Sequence, residues 1–147
     1  MSNMKDMLKR ENVQILDRVG DWEESVHLAV GPLVEQGYVE QRYIDGIIGN
    51  AKEYGPYFVI CPDLALLHAR PEQGVLKRQL AVTVLREPVR FKPEGPDVRL
   101  LVTLAATDPD GHIDVMRQLA TMFSDPSNIA KIAEAADADE IYGYFCE

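Results

Sequence analysis

The run VRLLVTLAA, Val98 to Ala106, is apolar apart from Arg99 and Thr103. A strand with one solvated face alternates polar and apolar residues. An almost unbroken apolar run therefore predicts a central strand covered on both faces. Cover on both faces means helices above and below the sheet. The expected fold is a three-layer α/β domain, a mixed sheet of about five strands flanked by helices on both sides. At 147 residues the chain fits one such domain, positions 1–147.

The helices are legible from caps and stripes. In DWEESVHLAVGPLVEQG, Asp21 and Glu24 have capping-box spacing, Trp22, Val26, Ala29 and Leu33 form one stripe, and Gly37 supplies a stop. A second helix is expected from Glu40 to about Glu53, burying Ile44, Ile47, Ile48 and Ala51 and ended by Gly55-Pro56. Three more should follow the central strand. The first starts near Asp110 and carries Met116, Leu119, Ala120 and Phe123. The second is opened by Asp125 with Pro126 at its first position. The third covers roughly Ala138 to Phe145, where Asp137 and Glu140 repeat the capping-box spacing. Further strands are expected at NVQIL (Asn12 to Leu16), YFVI (Tyr57 to Ile60) and QLAVTVL (Gln79 to Leu85). REPVRFKPEGPD holds three prolines and a glycine and reads as a loop or a broken edge strand.

Hydrophobic residues make up 46% of the chain and charged residues 27%, which is enough apolar surface for a core under an ordinary soluble exterior. No apolar run approaches ~18 residues, and the charged start MSNMKDMLKRENV has no apolar signal region. Neither membrane insertion nor secretion is expected, and the cytoplasm is the expected location. Cys61 and Cys146 lie far apart with no CxxC, which suits free thiols in a reducing compartment. The net charge of -9 disfavours nucleic acid, whose phosphates need clustered Lys and Arg, and favours a basic or mixed-charge protein partner.

The chemistry centres on three histidines. His27 sits mid-helix beside the first stripe and reads as solvent-facing, with no role. His68 lies in DLALLHARPEQGV, between two expected strands, with Arg70 two residues on and Pro71 stiffening the exit. A neutral imidazole is an available nucleophile near pH 7, and a guanidinium can grip a phosphoryl group. By spacing alone, a structural or merely polar histidine remains the commoner reading. His112 follows the central strand through TDPDG and opens an amphipathic helix. Ligands in α/β sheets gather at the C-terminal ends of strands, and a helix N-terminus favours anions and a neutral histidine. Asp63, Asp108 and Asp110 could lend oxygens to a metal, but there is no HxH, HExxH or Cys/His cluster, so none is expected. A Cys61–His68 nucleophile pair is conceivable, though buried inert cysteine is commoner. No glycine-rich phosphate loop is present.

The segment GPYFVICPDLALLHARPEQGV, Gly55 to Val75, resembles the active-site segment of the enzyme IIA domains of the bacterial phosphoenolpyruvate-dependent sugar phosphotransferase system. The likeness is to the fructose–mannitol type, and within it to the ascorbate branch. It extends to the preceding helix pair and to VRLLVTLAATDPDGHIDVMRQLATMF, where family members carry a strand and then a second active-site histidine. The resemblance implies a phosphocarrier whose His68 takes a phosphoryl group from the phosphocarrier protein HPr and passes it to a IIB component of a membrane IIC permease. It implies that His112 orients or hydrogen-bonds that group, and that Arg70, the motif arginine, contributes charge stabilisation. No cofactor is implied, and a homodimer stays open. The motif departs from the family at Leu67, usually proline, and Ala69, usually glycine; Asn50 stands where many members have an arginine. Leu66 and Leu67 are candidates for an apolar docking rim, with the core the equal alternative for Leu66. Three rivals remain: a nitrogen-type regulator that binds kinases or transporters, a non-catalytic interaction module, and a metal-dependent hydrolase.

Overall fold

A computed structural model describes residues 7–107 and 109–146, the side chains of residues 109–112 and 114 excepted. The strands are β1 (Leu8–Leu16), β2 (Val59–Cys61), β3 (Asp63–Leu67), β4 (Gln79–Arg90) and β5 (Asp97–Ala105). The helices are α1 (Trp22–Glu35), α2 (Gln41–Tyr54), α3 (Pro109–Phe123), α4 (Pro126–Ala133) and α5 (Ala138–Cys146), with a short 3-10 turn at Pro71–Gln73. The five strands form one mixed sheet in the order β1-β4-β5-β3-β2. β1 runs parallel to β4 and β3 parallel to β5, while β4–β5 and β2–β3 are antiparallel.

Val98 to Ala105 lie at the heart of this sheet, as their composition requires. Leu100, Val102 and Leu104 face a core built with Val115, Leu119, Ile129, Ile132, Ile141 and Phe145 of α3, α4 and α5. Leu101 and Ala105 face the opposite core, built with Val26, Leu33, Tyr43, Ile44 and Ile47 of α1 and α2. Each fully buried Leu or Val here contributes about 1.5–3 kcal/mol relative to exposure. At the edge of the second core Trp22 leans on Phe91, ring centroids 5.7 Å apart, and Phe91 meets Phe58 edge-on at 5.3 Å.

The caps work as their sequences predict. Asp21 accepts from the Glu24 N–H at 2.8 Å, Asp137 from the Glu140 N–H at 2.9 Å, and Asp125 from the Ser127 N–H at 3.0 Å. The Glu24 carboxylate accepts from the Gly20 N–H rather than from that of Asp21, so this box closes one residue upstream. His27 is exposed on α1.

The strands depart from expectation in four places. Of REPVRFKPEGPD, residues 91–96 are the expected loop, whereas REPVR continues β4 past its last β1 partner at Leu85, paired on the β5 side alone, with Val89 opposite Val98 and Arg90 opposite Asp97. The β4–β5 register shifts between Val84 and Val89, and Pro88 falls inside that irregularity, where no ladder N–H is required. DLALL, placed between two expected strands, is itself the strand β3, inserted between β5 and β2. The strand expected at Tyr57 begins two residues later, at Val59. β1 begins at Leu8, ahead of the expected Asn12.

Because β3 and β5 are parallel, Leu67 and Ala105 finish at the same end of the sheet. His68 leaves the sheet there, and so does the chain that enters α3.

Candidate functional site

His68 is held from three directions. Its Nδ1 lies 2.7 Å from the Leu66 carbonyl, which can only accept, so Nδ1 carries the ring proton and the in-plane lone pair of the neutral ring is on Nε2. The Tyr57 hydroxyl donates to the His68 carbonyl. The Tyr57 ring also meets the imidazole edge-on, centroids 5.3 Å apart at 88°. The ring is therefore fixed in tautomer and orientation.

A cavity of about 450 Å³ opens beside it, lined by Asn50, Tyr54, Tyr57, His68, Ala69, Arg70 and Pro71. Among the described residues no carboxylate lines it, although the chain carries a net charge of -9. Amide, phenol, imidazole and guanidinium groups converge on a small space in an otherwise acidic molecule. That composition suits an anion. Burial pushes the Tyr57 hydroxyl above the ordinary tyrosine range, against the pull of the Asn50 amide and the Arg70 charge, so it stays a neutral donor.

Arg70 reaches this cavity from an exposed position and pairs with Glu72 at 3.1 Å. An exposed pair of this kind is worth little, and the guanidinium can exchange it for another anion at small cost. Asn50 is tied to Gln73: its Nδ2 donates to Gln73 Oε1 at 3.0 Å, and Gln73 Nε2 returns a longer bond at 3.4 Å. The same Gln73 oxygen accepts from the Arg70 N–H at 3.0 Å. Gly46 on α2 makes room, since a Cβ there would stand 3.0 Å from Gln73 Nε2. The end of the motif is anchored in turn. Gly74 has φ +143, its carbonyl accepts from the Glu40 N–H at 2.8 Å, and Arg42 donates to the Glu72 carbonyl at 2.9 Å.

Other candidates fall elsewhere. His112 lies in the first turns of α3, in the chain that follows β5, but its side chain, like that of Asp110 and the whole of Asp108, lies outside the described residues. Asp63 sits at the far end of β3 from His68, where Arg99 grips it with two bonds of 3.1 and 2.9 Å. Its φ of 70 is the turn conformation that follows Pro62. Among the described residues no three His, Cys, Asp or Glu side chains gather as metal ligands would. Burial and the neighbouring Asp63 push the Cys61 thiol up, away from the thiolate that a nucleophile needs. Leu66 and Leu67 are not a rim: they are 3% and 0% exposed and face the two opposite cores. The exposed apolar groups near His68 are instead Tyr54 and Tyr57, with Ile60 following on β2.

Spacing in the sequence does not single out Tyr57, Gln73 or Tyr43. The Tyr43 hydroxyl accepts from the Ala69 N–H at 3.0 Å and donates to the Leu104 carbonyl at 2.8 Å. The GPY of the motif is the one local hint of Tyr57. At the same end of the sheet Thr103 Oγ1 and Gln79 Oε1 are buried with no partner among the described residues.

No helix among the described residues is long and apolar enough to cross a membrane. Residues 6–147 match the family model described as phosphoenolpyruvate-dependent sugar phosphotransferase system, EIIA 2. The ascorbate-specific PTS system EIIA component of Salmonella typhimurium is 35% identical over 141 residues, 94% of this chain and 92% of that protein. The mannitol-specific cryptic phosphotransferase enzyme IIA CmtB of Escherichia coli superposes with a TM-score of 0.89 at 25% identity, covering 98% of each chain. The Escherichia coli mannitol IIA enzyme, solved in complex with phosphorylated IIB, superposes with a TM-score of 0.81 at 27% identity, over 95% of this chain and 98% of that one.

Proposed function

The chain belongs to the EIIA 2 family of the phosphoenolpyruvate-dependent sugar phosphotransferase system, and on that premise we propose that it accepts a phosphoryl group from phosphorylated HPr on His68 Nε2 and passes it to a IIB component. The observation that carries this reading is the Nδ1 bond of His68 to the Leu66 carbonyl, which assigns the nucleophilic lone pair to Nε2. The cavity without described carboxylates supports it.

In the accepting step the P–N bond to the donor histidine breaks as the P–N bond to His68 Nε2 forms. The electron pair of the breaking bond returns to the donor imidazole. The proton stays on His68 Nδ1, hydrogen-bonded to the Leu66 carbonyl, so the phosphorylated ring carries a positive charge until onward transfer. Such a displacement passes through a loose transition state, so positioning and charge stabilisation do most of the work. Arg70 supplies positive charge at the rim. His112, at the start of α3, hydrogen-bonds a phosphoryl oxygen, and the helix N-terminus favours the anion. The onward step breaks the P–N bond at His68 and forms a P–S bond on a IIB cysteine, which restores the neutral imidazole. The mannitol IIA relative solved with phosphorylated IIB supports a IIB partner, and Tyr54, Tyr57 and Ile60 provide the apolar rim for transient docking. The likeness to the ascorbate-specific component points to ascorbate or a related sugar-like substrate. The protein acts in the cytoplasm, where HPr resides.

The test is reconstitution with phosphoenolpyruvate, enzyme I and HPr. Wild type acquires an acid-labile, alkali-stable phosphoryl label, and His68→Ala acquires none. An unlabelled wild type, or a normally labelled His68→Ala, ends the proposal. His112→Ala accepts the label but passes it slowly to IIB; undiminished onward transfer removes His112 from the mechanism.

A further inference from the structure

The β3–β5 ladder ends at Leu67 opposite Thr103. The next groups across the gap, the Ala69 N–H and the Leu104 carbonyl, are joined through the Tyr43 hydroxyl, by bonds of 3.0 and 2.8 Å in series. A direct ladder bond would hold such a nitrogen and oxygen about 2.9 Å apart. One inserted oxygen roughly doubles that span. The strand ends are thus kept apart at the place where His68 leaves the sheet on one side and the chain turns toward α3 on the other.

We propose that Tyr43 is a positioning residue, a spacer that sets the gap between these two strand ends and hence the geometry in which the phosphoryl group is held. The inference rests on the reading of His68 as the phosphoryl acceptor. Tyr43 is suited to the role because it cannot drift. It is fully buried on α2. Gly74 packs so closely that a Cβ there would lie 3.0 Å from the Tyr43 nitrogen. Its hydroxyl is a dependable donor to Leu104, since burial holds the phenol at about 12, far above any working pH. Tyr43 is absent from the lining of the His68 cavity, so its action is through the backbone.

The experiment compares Tyr43→Phe with wild type in HPr-dependent phosphorylation, with Ile47→Val as a control. Ile47 is buried in the same helix and the same core but bonds to neither strand end. Tyr43→Phe is expected to lower kcat about tenfold with KM for phosphorylated HPr unchanged, and to move the Ala69 amide resonance. Ile47→Val, compared at the same distance below its own Tm, keeps the wild-type kcat. Tyr43→4-aminophenylalanine, which keeps a donor and an acceptor at the ring tip, recovers kcat to within roughly threefold of wild type. A wild-type kcat in Tyr43→Phe overturns the inference, as does an equal loss in Ile47→Val. Should Tyr43→Phe fail to fold, the amino variant decides: a loss of kcat as large as tenfold despite both bonds overturns it. A labelled wild type with any of these failures sinks the spacer alone, whereas an unlabelled wild type sinks the phosphocarrier reading and the spacer with it.

Discussion

β3 carries an acid at one end and is followed by a histidine at the other, and the two ends are built in opposite ways. At Asp63 the polar chemistry is closed: a bidentate guanidinium holds the carboxylate, and a turn residue with φ 70 fixes the backbone. At His68 neutral groups do the fixing. The Leu66 carbonyl, the Tyr57 phenol and, through Ala69, the Tyr43 phenol hold ring and backbone. Two buried oxygens, of Thr103 and Gln79, have no hydrogen-bond partner among the described residues. Charge spent on architecture cannot also meet a ligand. The end that keeps Arg70 in a weak surface pair keeps a cation to use.

The contrast breaks if the two ends prove interchangeable. The largest expected effect is at the open end: His68→Gln loses all phosphoryl labelling while Tm moves by no more than a few degrees. A large fall in Tm would make His68 architectural after all. Next is Gly74→Ala, which forces a Cβ into a φ of +143 and within 3.0 Å of the Tyr43 nitrogen. Urea denaturation should register a loss of about 2 kcal/mol or more, with slower transfer because the motif shifts off α2. Asp63→Ala should cost about 1–3 kcal/mol, since both partners are under one third exposed, and should leave labelling at the wild-type rate. Slowed labelling at equal folded fraction would join the two ends in one function. Tyr57→Phe removes the hydroxyl but keeps the edge-on ring; transfer should slow by about three- to tenfold with KM little changed. The smallest effect lies away from both ends. Bonds from the Ser127 hydroxyl and N–H hold the Asp125 carboxyl below its usual range. A lowered folded value means that its stabilisation is present above the unfolded pKa and fades as pH falls through the folded one. Asp125→Asn should lower Tm slightly near neutrality and flatten that acid limb, so that the two Tm profiles converge as pH falls.

Much of this architecture was legible locally. The caps at Asp21, Asp125 and Asp137 are short-range signals, and the unbroken apolar run of β5 demanded cover on both faces, which the two cores provide. His68 and the chain leading to His112 were legible as strand-end positions. β3 was not, because the four buried residues of a strand packed on both sides, Leu64 to Leu67, have no alternation to betray them. That is also why Leu66 and Leu67 resembled a rim: a loop would have exposed them, whereas a strand sends one into each core. REPVR misled in the opposite direction, since its proline marks a register shift inside a long strand. The residues that fix the site were the least legible. Tyr43 acts across 26 and 61 positions of chain, and no local pattern announces such a bond.

The packing of Trp22 on Phe91 has a practical consequence. The chain has one tryptophan, and it belongs to the α1–α2 layer, while α3, α4 and α5 have none. Its fluorescence is therefore a reporter for one side of the sheet, whereas far-ultraviolet circular dichroism weighs helices on both. If the two optical melting curves superimpose, the layers are lost together; if the emission changes first, the layer that carries Tyr43 and Asn50 is the one that opens.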